Sequence, residues 1–339
     1  MKKIWCAFFC LTVFLTAGCA SKWAMDVQPS EARLVWPQAP EKPKVRHLAT
    51  IRGFNERGGS LKVVFFGKGE DRLIQPVAVA TGGDGRIAVA DTGSKSVHLY
   101  IPKEEKYIGI FRFGSGEIAS PVGVAFDEEL RLYVSDSFHE KIAVFDRRGG
   151  YLFSIDRARE DVLKRPTGLA YDPGNKAVFA VDTASHKIHV FTPKGEPLFS
   201  FGERGNGNGQ FNFPTHIFRG PAGRIYVTDA MNFRVQTFDS SGNFIAAFGR
   251  HGDGSGDFSM PKGVASDSEG TIYVVDTLFD NVQLFNEKGE FLLTLGSRGS
   301  GQGEFWLPSG IFIDGGDKLY VCDTYNQRIQ IFEIMRDGR

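Results

Sequence analysis

The chain has 339 residues, of which 42% are hydrophobic, 24% charged and 13% aromatic, so it can bury an ordinary core and long disordered tracts are excluded. Lys plus Arg and Asp plus Glu balance at 40 each, and without a basic field we expect no nucleic-acid partner. The 41 glycines and 30 phenylalanines indicate many tight turns and many buried rings, as in an all-β protein.

Residues 1–18 have the layout of a secretory signal peptide, with a basic start, a short apolar run and small residues at the end. The end, Thr16-Ala17-Gly18-Cys19, resembles a bacterial lipobox, although Leu15 lies one position earlier than usual. The resemblance implies that acylated Cys19 anchors the protein to a lipid membrane in the bacterial cell envelope. Because Ala20 and Ser21 carry no retention aspartate, it favours the outer membrane where the cell has one. The alternative is a plain secretory signal.

The remaining cysteines indicate a fold without disulfides. Cys6 and Cys10 leave with the leader, so only Cys322 remains in the mature domain besides Cys19. Cys322 lies in a strand pattern, which predicts a small buried core residue. Residues 19–44 contain four prolines and no sustained period, which predicts that the lipidated cysteine is followed by an extended tether.

From residue 76 onward one unit of 45 to 48 residues repeats six times. Each copy begins a short apolar strand at a proline, and these prolines are Pro76, Pro121, Pro166, Pro214, Pro261 and Pro308. Each second strand ends at an aspartate 15 or 16 residues later, and these are Asp91, Asp136, Asp182, Asp229, Asp276 and Asp323. A third and a fourth strand follow in most copies. Four short strands at this period predict one propeller blade per copy.

The sixth copy ends after its third strand, which predicts how the ring closes. Residues 45–53 match a fourth strand, and we expect them to complete blade six beside 329–334. The fold class is therefore an all-β, six-bladed β-propeller over 45–335, with a short tail at 336–339. No role is assigned to the insertion at 54–75.

The units resemble the NHL repeat, whose core reads D-x-x-N-x-R-[IV]-x-x-F. The likeness is strongest in Asp229-Ala-Met-Asn-Phe-Arg-Val-Gln-Thr-Phe238 and Asp323-Thr-Tyr-Asn-Gln-Arg-Ile-Gln-Ile-Phe332. The other four units depart at the Asn or Arg position. The resemblance implies an NHL-type propeller over nearly the whole mature chain, whereas function does not follow from fold.

Two repeated features are interpreted as structural. The glycine-rich connections at 202–211, 249–258 and 296–305 run from strand to strand into a Phe, unlike phosphate-binding loops, so we expect Gly to supply unusual φ angles and Phe to fill the core between blades. Because one Asp occurs in every copy, each is expected to cap a strand end by accepting bonds from loop amides. No cofactor and no metal site are predicted.

Histidines bear on an enzymatic alternative. By resemblance, the peptide-amidating lyase holds zinc with three histidines at the channel of this fold. Two residues after the prolines this chain has His216 in one copy and Gly in four, so His216 is the only channel candidate, whereas catalytic zinc needs about three protein ligands.

The loops after the repeated Asp carry unexpected apolar side chains, since turn tips usually favour Gly, Asn and Asp. Either these tips face solvent as a partner-binding surface or they fold back onto neighbouring blades. The predicted binding face comprises Phe138, His139, His186, Met231, Asn232, Phe233, Arg234, Phe279, Tyr325 and Asn326.

The leading hypothesis is a lipid-anchored, monomeric propeller that binds a protein or peptide partner through this face and catalyses nothing. The alternative is a channel-metal lyase or lactonase-like hydrolase near His216. A third hypothesis is an envelope spacer without a specific ligand.

Overall fold

The computed structural model describes residues 21–57 and 70–336. The N-terminal part forms four strands, β1 (Lys22–Pro29), β2 (Val35–Trp36), β3 (Val45–Arg57) and β4 (Glu70–Arg72). Much of the insertion at 54–75, including the apolar run at 61–66, lies outside the described residues, as do the leader, Cys19 and the tail after residue 336. Within the described ranges, no helix is long and apolar enough to cross a membrane.

Five blades are four-stranded antiparallel sheets whose strands pair in chain order. Blade one comprises β5 (Pro76–Thr81), β6 (Ile87–Asp91), β7 (Ser96–Ile101) and β8 (Lys106–Ile110). A small hairpin, β9 (Arg112–Phe113) and β10 (Gly116–Glu117), precedes blade two, which comprises β11 (Pro121–Phe126), β12 (Leu132–Asp136), β13 (Lys141–Phe145) and β14 (Tyr151–Ile155). A second hairpin, β15 (Arg157–Ala158) and β16 (Asp161–Val162), precedes blade three, which comprises β17 (Pro166–Asp172), β18 (Ala177–Asp182), β19 (Lys187–Phe191) and β20 (Pro197–Phe201).

The later blades follow the same pattern. Blade four comprises β21 (Pro214–Arg219), β22 (Ile225–Asp229), β23 (Arg234–Phe238) and β24 (Phe244–Phe248). Blade five comprises β25 (Pro261–Ser266), β26 (Ile272–Asp276), β27 (Asn281–Phe285) and β28 (Phe291–Leu295). Blade six begins with β29 (Ile311–Ile313), β30 (Lys318–Asp323) and β31 (Arg328–Ile334). Short 3₁₀ turns lie at Pro102–Glu104, Pro221–Gly223, Ala230–Asn232 and Thr324–Asn326.

Strands from both ends of the chain form blade six, as predicted. β3 pairs antiparallel with β31, from Val45 opposite Ile334 to Ile51 opposite Ile329. The N-terminal strand therefore supplies the fourth strand that the last repeat lacks, and the all-β propeller with six blades is confirmed.

The segment before β3 differs from the expected extended tether. β1 pairs with β3 along its whole length, from Lys22 opposite Arg57 to Pro29 opposite Ala49. β2 and β4 also pair with β3, so the described sheet of blade six has seven strands. The outer edge of β3 offers unpaired backbone groups, and β1 satisfies them while the ring of Trp23 packs 4.9 Å from that of Tyr107. Residues 22–29 therefore belong to the folded body.

The core lies between the blades. Separate buried clusters join each blade to its neighbour, as between blades two and three, where Tyr133 and Leu169 belong to one cluster. The rings of Phe211, Phe258 and Phe305, which end the glycine-rich connections, are fully buried as expected. Removing one such ring would cost about 3–5 kcal/mol, so these connections stabilise the joints between blades.

Hydroxyl groups near the axis also join neighbouring blades. The residue that follows the repeated Asp donates to the carbonyl of the next blade's first proline at four of the six joints. These pairs are Ser137 to Pro166, Thr183 to Pro214, Thr277 to Pro308 and Thr324 to Pro76, at 2.6 to 2.8 Å. In blade four the corresponding residue is Ala230, which has no hydroxyl to donate.

Candidate functional site

The repeated Asp side chains organise one face of the ring, as the sequence predicted. In each blade the carboxylate lies at the end of the second strand and accepts hydrogen bonds from amides of the loop that leads into the first strand. Asp276, for example, accepts from the N–H groups of Ser259 at 2.7 Å and Met260 at 3.0 Å, and also from that of Leu278 at 3.2 Å. One buried carboxylate therefore holds two loops side by side.

Burial and amide hydrogen bonds have opposite effects on these carboxyl groups. Burial disfavours ionisation of Asp182, but the nearby imidazole of His189 and hydrogen bonds from Ser185 and loop amides lower its pKa to about 2. Burial outweighs such bonds for Asp276 and Asp323 and raises the pKa of both. The carboxylate oxygens of the repeated Asp residues accept hydrogen bonds from amides of the protein. These side chains therefore hold the loops in place rather than bind a ligand.

The apolar tips of the loops between the second and third strands face solvent rather than fold back. Phe138 is 73% exposed, Met231 54%, Leu278 55% and Tyr325 50%. Large apolar side chains at this exposure cost solubility and are uncommon at turn tips. That they bind a partner remains a prediction.

A second row of exposed apolar side chains, which sequence analysis missed, lies beside these tips in the loops leading into the first strands. Phe213, Met260 and Trp306 are each at least 40% exposed. Backbone hydrogen bonds join the two rows, as where the N–H of Tyr325 donates to the carbonyl of Trp306 at 3.2 Å and the two rings lie 5.6 Å apart. The signal that could have identified them is a large apolar residue immediately before the proline or one position earlier.

Together the two rows place exposed apolar side chains on one face of blades four to six. We call it the apolar arc, and its members are Phe213, Met231, Met260, Leu278, Trp306 and Tyr325. Each of the three blades contributes one residue from each row. Phe138 lies apart from it on blade two.

Four residues of the predicted binding face hold loops in place instead of facing solvent. Asn232 donates to Asp229 and to the carbonyl of Gly205, while Arg234 pairs with Asp229 at 2.8 Å. Asn326 makes the same contacts with Asp323 and the carbonyl of Gly299 in blade six. The fourth residue, His186, is buried and accepts a hydrogen bond from the N–H of Phe213 at 3.1 Å. The Asn and Arg of the repeat thus clamp the glycine-rich connections.

The three other predicted residues are half-buried. The ring of His139 packs 5.1 Å from that of Phe138, and its Nδ1 lies 3.2 Å from a carboxylate oxygen of Asp136. Phe233 packs 4.4 Å from the ring of His251. Phe279 is likewise partly covered beside the exposed tip at Leu278.

The axis of the ring is crowded by backbone. A Cβ on Gly168 would lie 2.8 Å from Cα of His216 in the next blade, and one on Gly263 would lie 2.6 Å from the carbonyl oxygen of Ser309. Glycine recurs two residues after the proline because neighbouring inner strands meet there.

His216 lies among these glycines on the inner strand of blade four. Burial lowers the pKa of His216 to about 4, and its Nδ1 accepts a hydrogen bond from the N–H of Val264 at 3.4 Å. The imidazole is therefore neutral at neutral pH. Within the described residues, no three His, Cys, Asp or Glu side chains are grouped closely enough to hold a metal ion.

Cys322 is the only described cysteine. It is fully buried, as predicted, and burial raises the pKa of its thiol. Cys19, the predicted lipidation site, lies outside the described residues.

Comparisons with known proteins agree with this architecture. A family model described as a 6-bladed beta-propeller (DUF5128) matches residues 219–277 and 265–336, which span blades four to six. No curated protein matches the sequence.

Solved structures similar to this chain are propeller proteins of different activities. A virginiamycin B lyase from Staphylococcus aureus is 14% identical, with a TM-score of 0.57 over 77% of this chain and 95% of that chain. A streptogramin B lyase is 11% identical, with a TM-score of 0.57 over 78% and 94%. An auxiliary nutrient binding protein from Bacteroides thetaiotaomicron is 13% identical, with a TM-score of 0.56 over 77% and 69%. At these identities the likeness shows the fold alone.

Proposed function

We propose that this protein is a non-catalytic, NHL-type propeller that binds a protein or peptide partner through the apolar arc. The supporting observation is the arc itself, six large apolar side chains exposed on one face of a rigid ring. Exposed apolar surface of this kind is typical of recognition sites, because a partner that covers it removes apolar area from water. The rigid blades also keep the entropic cost of binding low.

The arc supports a binding role because its shape does not depend on a ligand. The two loops that carry each pair of side chains are held by one buried Asp and by backbone hydrogen bonds. The surface is therefore organised before a partner arrives, and energetic anchors at such interfaces are commonly aromatic. Trp306 and Tyr325 are the best candidates for anchors.

The test is a triple substitution at the exposed tips, Met231→Ser, Leu278→Ser and Tyr325→Ser. These side chains are exposed, so we expect the variant to fold and to lose partner capture after crosslinking in intact cells. The matched control is Leu198→Ser, Ile245→Ser and Leu292→Ser, which removes three comparably exposed apolar side chains from the outer strands. Capture that survives the first triple, or that is lost equally in the control, would end the proposal.

We also propose that acylated Cys19 anchors the protein in the bacterial cell envelope. This rests on the resemblance of residues 16–19 to a lipobox. We expect Cys19→Ala to move the protein from the membrane to the soluble fraction and to prevent labelling by a palmitate analogue. A variant that remains at the membrane unlabelled would contradict the lipid anchor.

The enzymatic alternative requires His216, the only histidine on the inner strands of the described chain. Two of the similar structures are lyases, which is the reason to test this alternative. Elemental analysis of the purified protein distinguishes the two functions. Stoichiometric zinc or calcium that is lost on His216→Ala would favour the enzyme, whereas a metal-free protein that captures a partner would favour the binding role.

A further inference from the structure

Lys262 is an unpaired cation at the axial end of the proposed binding face. It follows Pro261 at the start of the inner strand of blade five, two residues after Met260 of the apolar arc. The side chain is half-buried, and within the described residues it makes no ion pair and no hydrogen bond. Burial alone lowers the pKa of Lys262. The stem of Lys262 is covered while its ammonium group keeps three donors without a protein acceptor, so this group is available to a bound partner.

The repeat does not require a cation at this position. The corresponding residues of the other blades are Val77, Val122, Thr167, Thr215 and Ser309. In blades three and six the corresponding hydroxyl is paired within its own blade, Thr167 with Thr183 at 2.8 Å and Ser309 with Thr324 at 2.7 Å. Lys262 thus places a charge where the other blades have an apolar or hydroxyl side chain, and no described residue pairs with that charge.

The unpaired cations of this face favour a negatively charged, partly apolar ligand. Besides Lys262 on blade five, Arg165 before the first strand of blade three is exposed, and within the described chain its side chain makes no ion pair or hydrogen bond. The Asp276 carboxylate of the same blade accepts from the N–H of Met260, and among the described residues no carboxylate forms an ion pair with Lys262. Met260 of the apolar arc lies two residues before Lys262 in the chain.

We propose that Lys262 binds the carboxylate of an Asp or Glu side chain in a peptide segment whose apolar residues cover the arc. This inference rests on the proposed binding function and specifies its partner. Once the peptide covers the arc and excludes water, the ammonium group donates to the carboxylate in an environment of low polarity, where such bonds are strong. Recognition then requires an acidic residue flanked by aromatic or aliphatic residues.

The experiment uses a displayed library of random dodecapeptides. We expect the wild-type protein to enrich peptides in which Asp or Glu is flanked by apolar residues, and Lys262→Met to lose the preference for acid while keeping that for apolar residues. Methionine preserves much of the apolar length of lysine, and removal of an unpaired, partly buried charge should leave the melting temperature equal or higher. The matched control is Lys288→Met, an exposed lysine in the β27–β28 turn of the same blade on the opposite face, which should enrich the same peptides as the wild type.

Affinities of one enriched peptide and its Asp→Asn or Glu→Gln analogue measure the contact directly. We expect the analogue to bind the wild type about tenfold more weakly, and both peptides to bind Lys262→Met equally. A preference for acid that persists in Lys262→Met would overturn the role of Lys262. Apolar peptides without acid would overturn this inference and leave the proposed function intact, whereas no enrichment by the wild type would overturn both.

Discussion

The carboxylate of Asp323 accepts a hydrogen bond from the backbone N–H of Trp306 at 2.8 Å, although Trp306 belongs to the loop leading into blade six and Asp323 ends its second strand. The N–H of Tyr325 in turn donates to the carbonyl of Trp306. A buried group that every blade needs for its own stability thus also places two exposed aromatic side chains next to each other. The exposed apolar rows are thus a by-product of the capping of the blades, and we expect substitutions at the tips to alter the proposed recognition without altering the fold.

The joint between blades four and five lacks a hydrogen bond that blade six has. Thr324 Oγ1 donates to the carbonyl of Pro76 at 2.8 Å and lies 2.7 Å from Ser309 Oγ. In blade four Ala230 replaces the threonine, and Thr215 Oγ1 is buried without a partner in the described chain. We expect Ala230→Thr to raise the free energy of unfolding by about 1 kcal/mol in urea denaturation.

The reciprocal substitution is the control for this prediction. Thr324→Ala removes the donor from blade six and should lower the free energy of unfolding by about 1–2 kcal/mol. If Thr324→Ala destabilises the protein and Ala230→Thr changes nothing, the two joints are not equivalent.

The contact of inner strands predicts a strict requirement for glycine at the axis. Gly168→Ala would place a Cβ against the backbone of His216, which cannot move without shifting blade four, so we expect a loss of about 1–3 kcal/mol in thermal or urea denaturation. Gly83 has no heavy atom within 4 Å of an added Cβ, so Gly83→Ala should change stability by no more than about 0.5 kcal/mol. Equal effects of the two substitutions would show that the axis is looser than described.

His47, which is buried, and His216, which is partly buried, predict a loss of stability in mild acid. Burial lowers the pKa of both His47 and His216 to about 4, and the charge of Arg328 contributes at His47. Between pH 6.5 and 4 the unfolded chain therefore binds protons that the folded protein does not, and stability falls as the pH decreases through this range. We expect a loss of roughly 2–3 kcal/mol per histidine, with no further loss from these groups below pH 4.

Urea denaturation from pH 7 to 4 tests this, with His216→Asn keeping an acceptor for the N–H of Val264. The variant should show a shallower pH dependence than the wild type. His251→Asn, at an exposed position, serves as the control and should keep the wild-type slope. A wild-type slope in His216→Asn would exclude His216 as a source of the effect.

The closing sheet predicts different results for two deletions. Removal of residues 22–29 deletes β1 but leaves β3 paired with β31, so we expect a folded protein of lower melting temperature. Removal of residues 22–53 deletes the predicted closing strand and should abolish cooperative thermal unfolding measured by circular dichroism. A cooperative melt at the wild-type temperature after the longer deletion would contradict closure by β3.

The period of the prolines and aspartates predicted the blades because each marks a strand end that the repeat reuses. The missing fourth strand of the last repeat predicted the pairing of 45–53. By contrast, the pairing of β1 was hidden by the prolines of residues 19–44, which flank the strand, as Pro29 does at its end, rather than interrupt it. Composition suggested that residues 19–44 form an extended tether. Pairing of β1 with the edge of β3 and the contact of Trp23 with Tyr107 show instead that β1 is folded, and neither can be predicted from composition.

The candidate site was predicted less completely than the fold. Sequence identified Met231 and Tyr325 because they occupy turn tips, where large apolar side chains are unusual. It also included Asn232 and Arg234, whose partners lie in a connection about 25 residues away and cannot be known before the blades are assembled. Phe213 and Met260 are exposed because of the path of the loop that leads into the first strand. The alternation of apolar residues in the strands does not predict that path.

Blade six contains both an early strand, β3, and a late strand, β31, and this has a consequence for biosynthesis. The partner of β3 across the ring closure is β31, which is synthesised after blades one to five, so this edge of β3 stays open while those blades are made, although β1 can already pair with its other edge. Blades one to five can form in order as the chain grows, but the ring cannot lock before translation of the domain is complete.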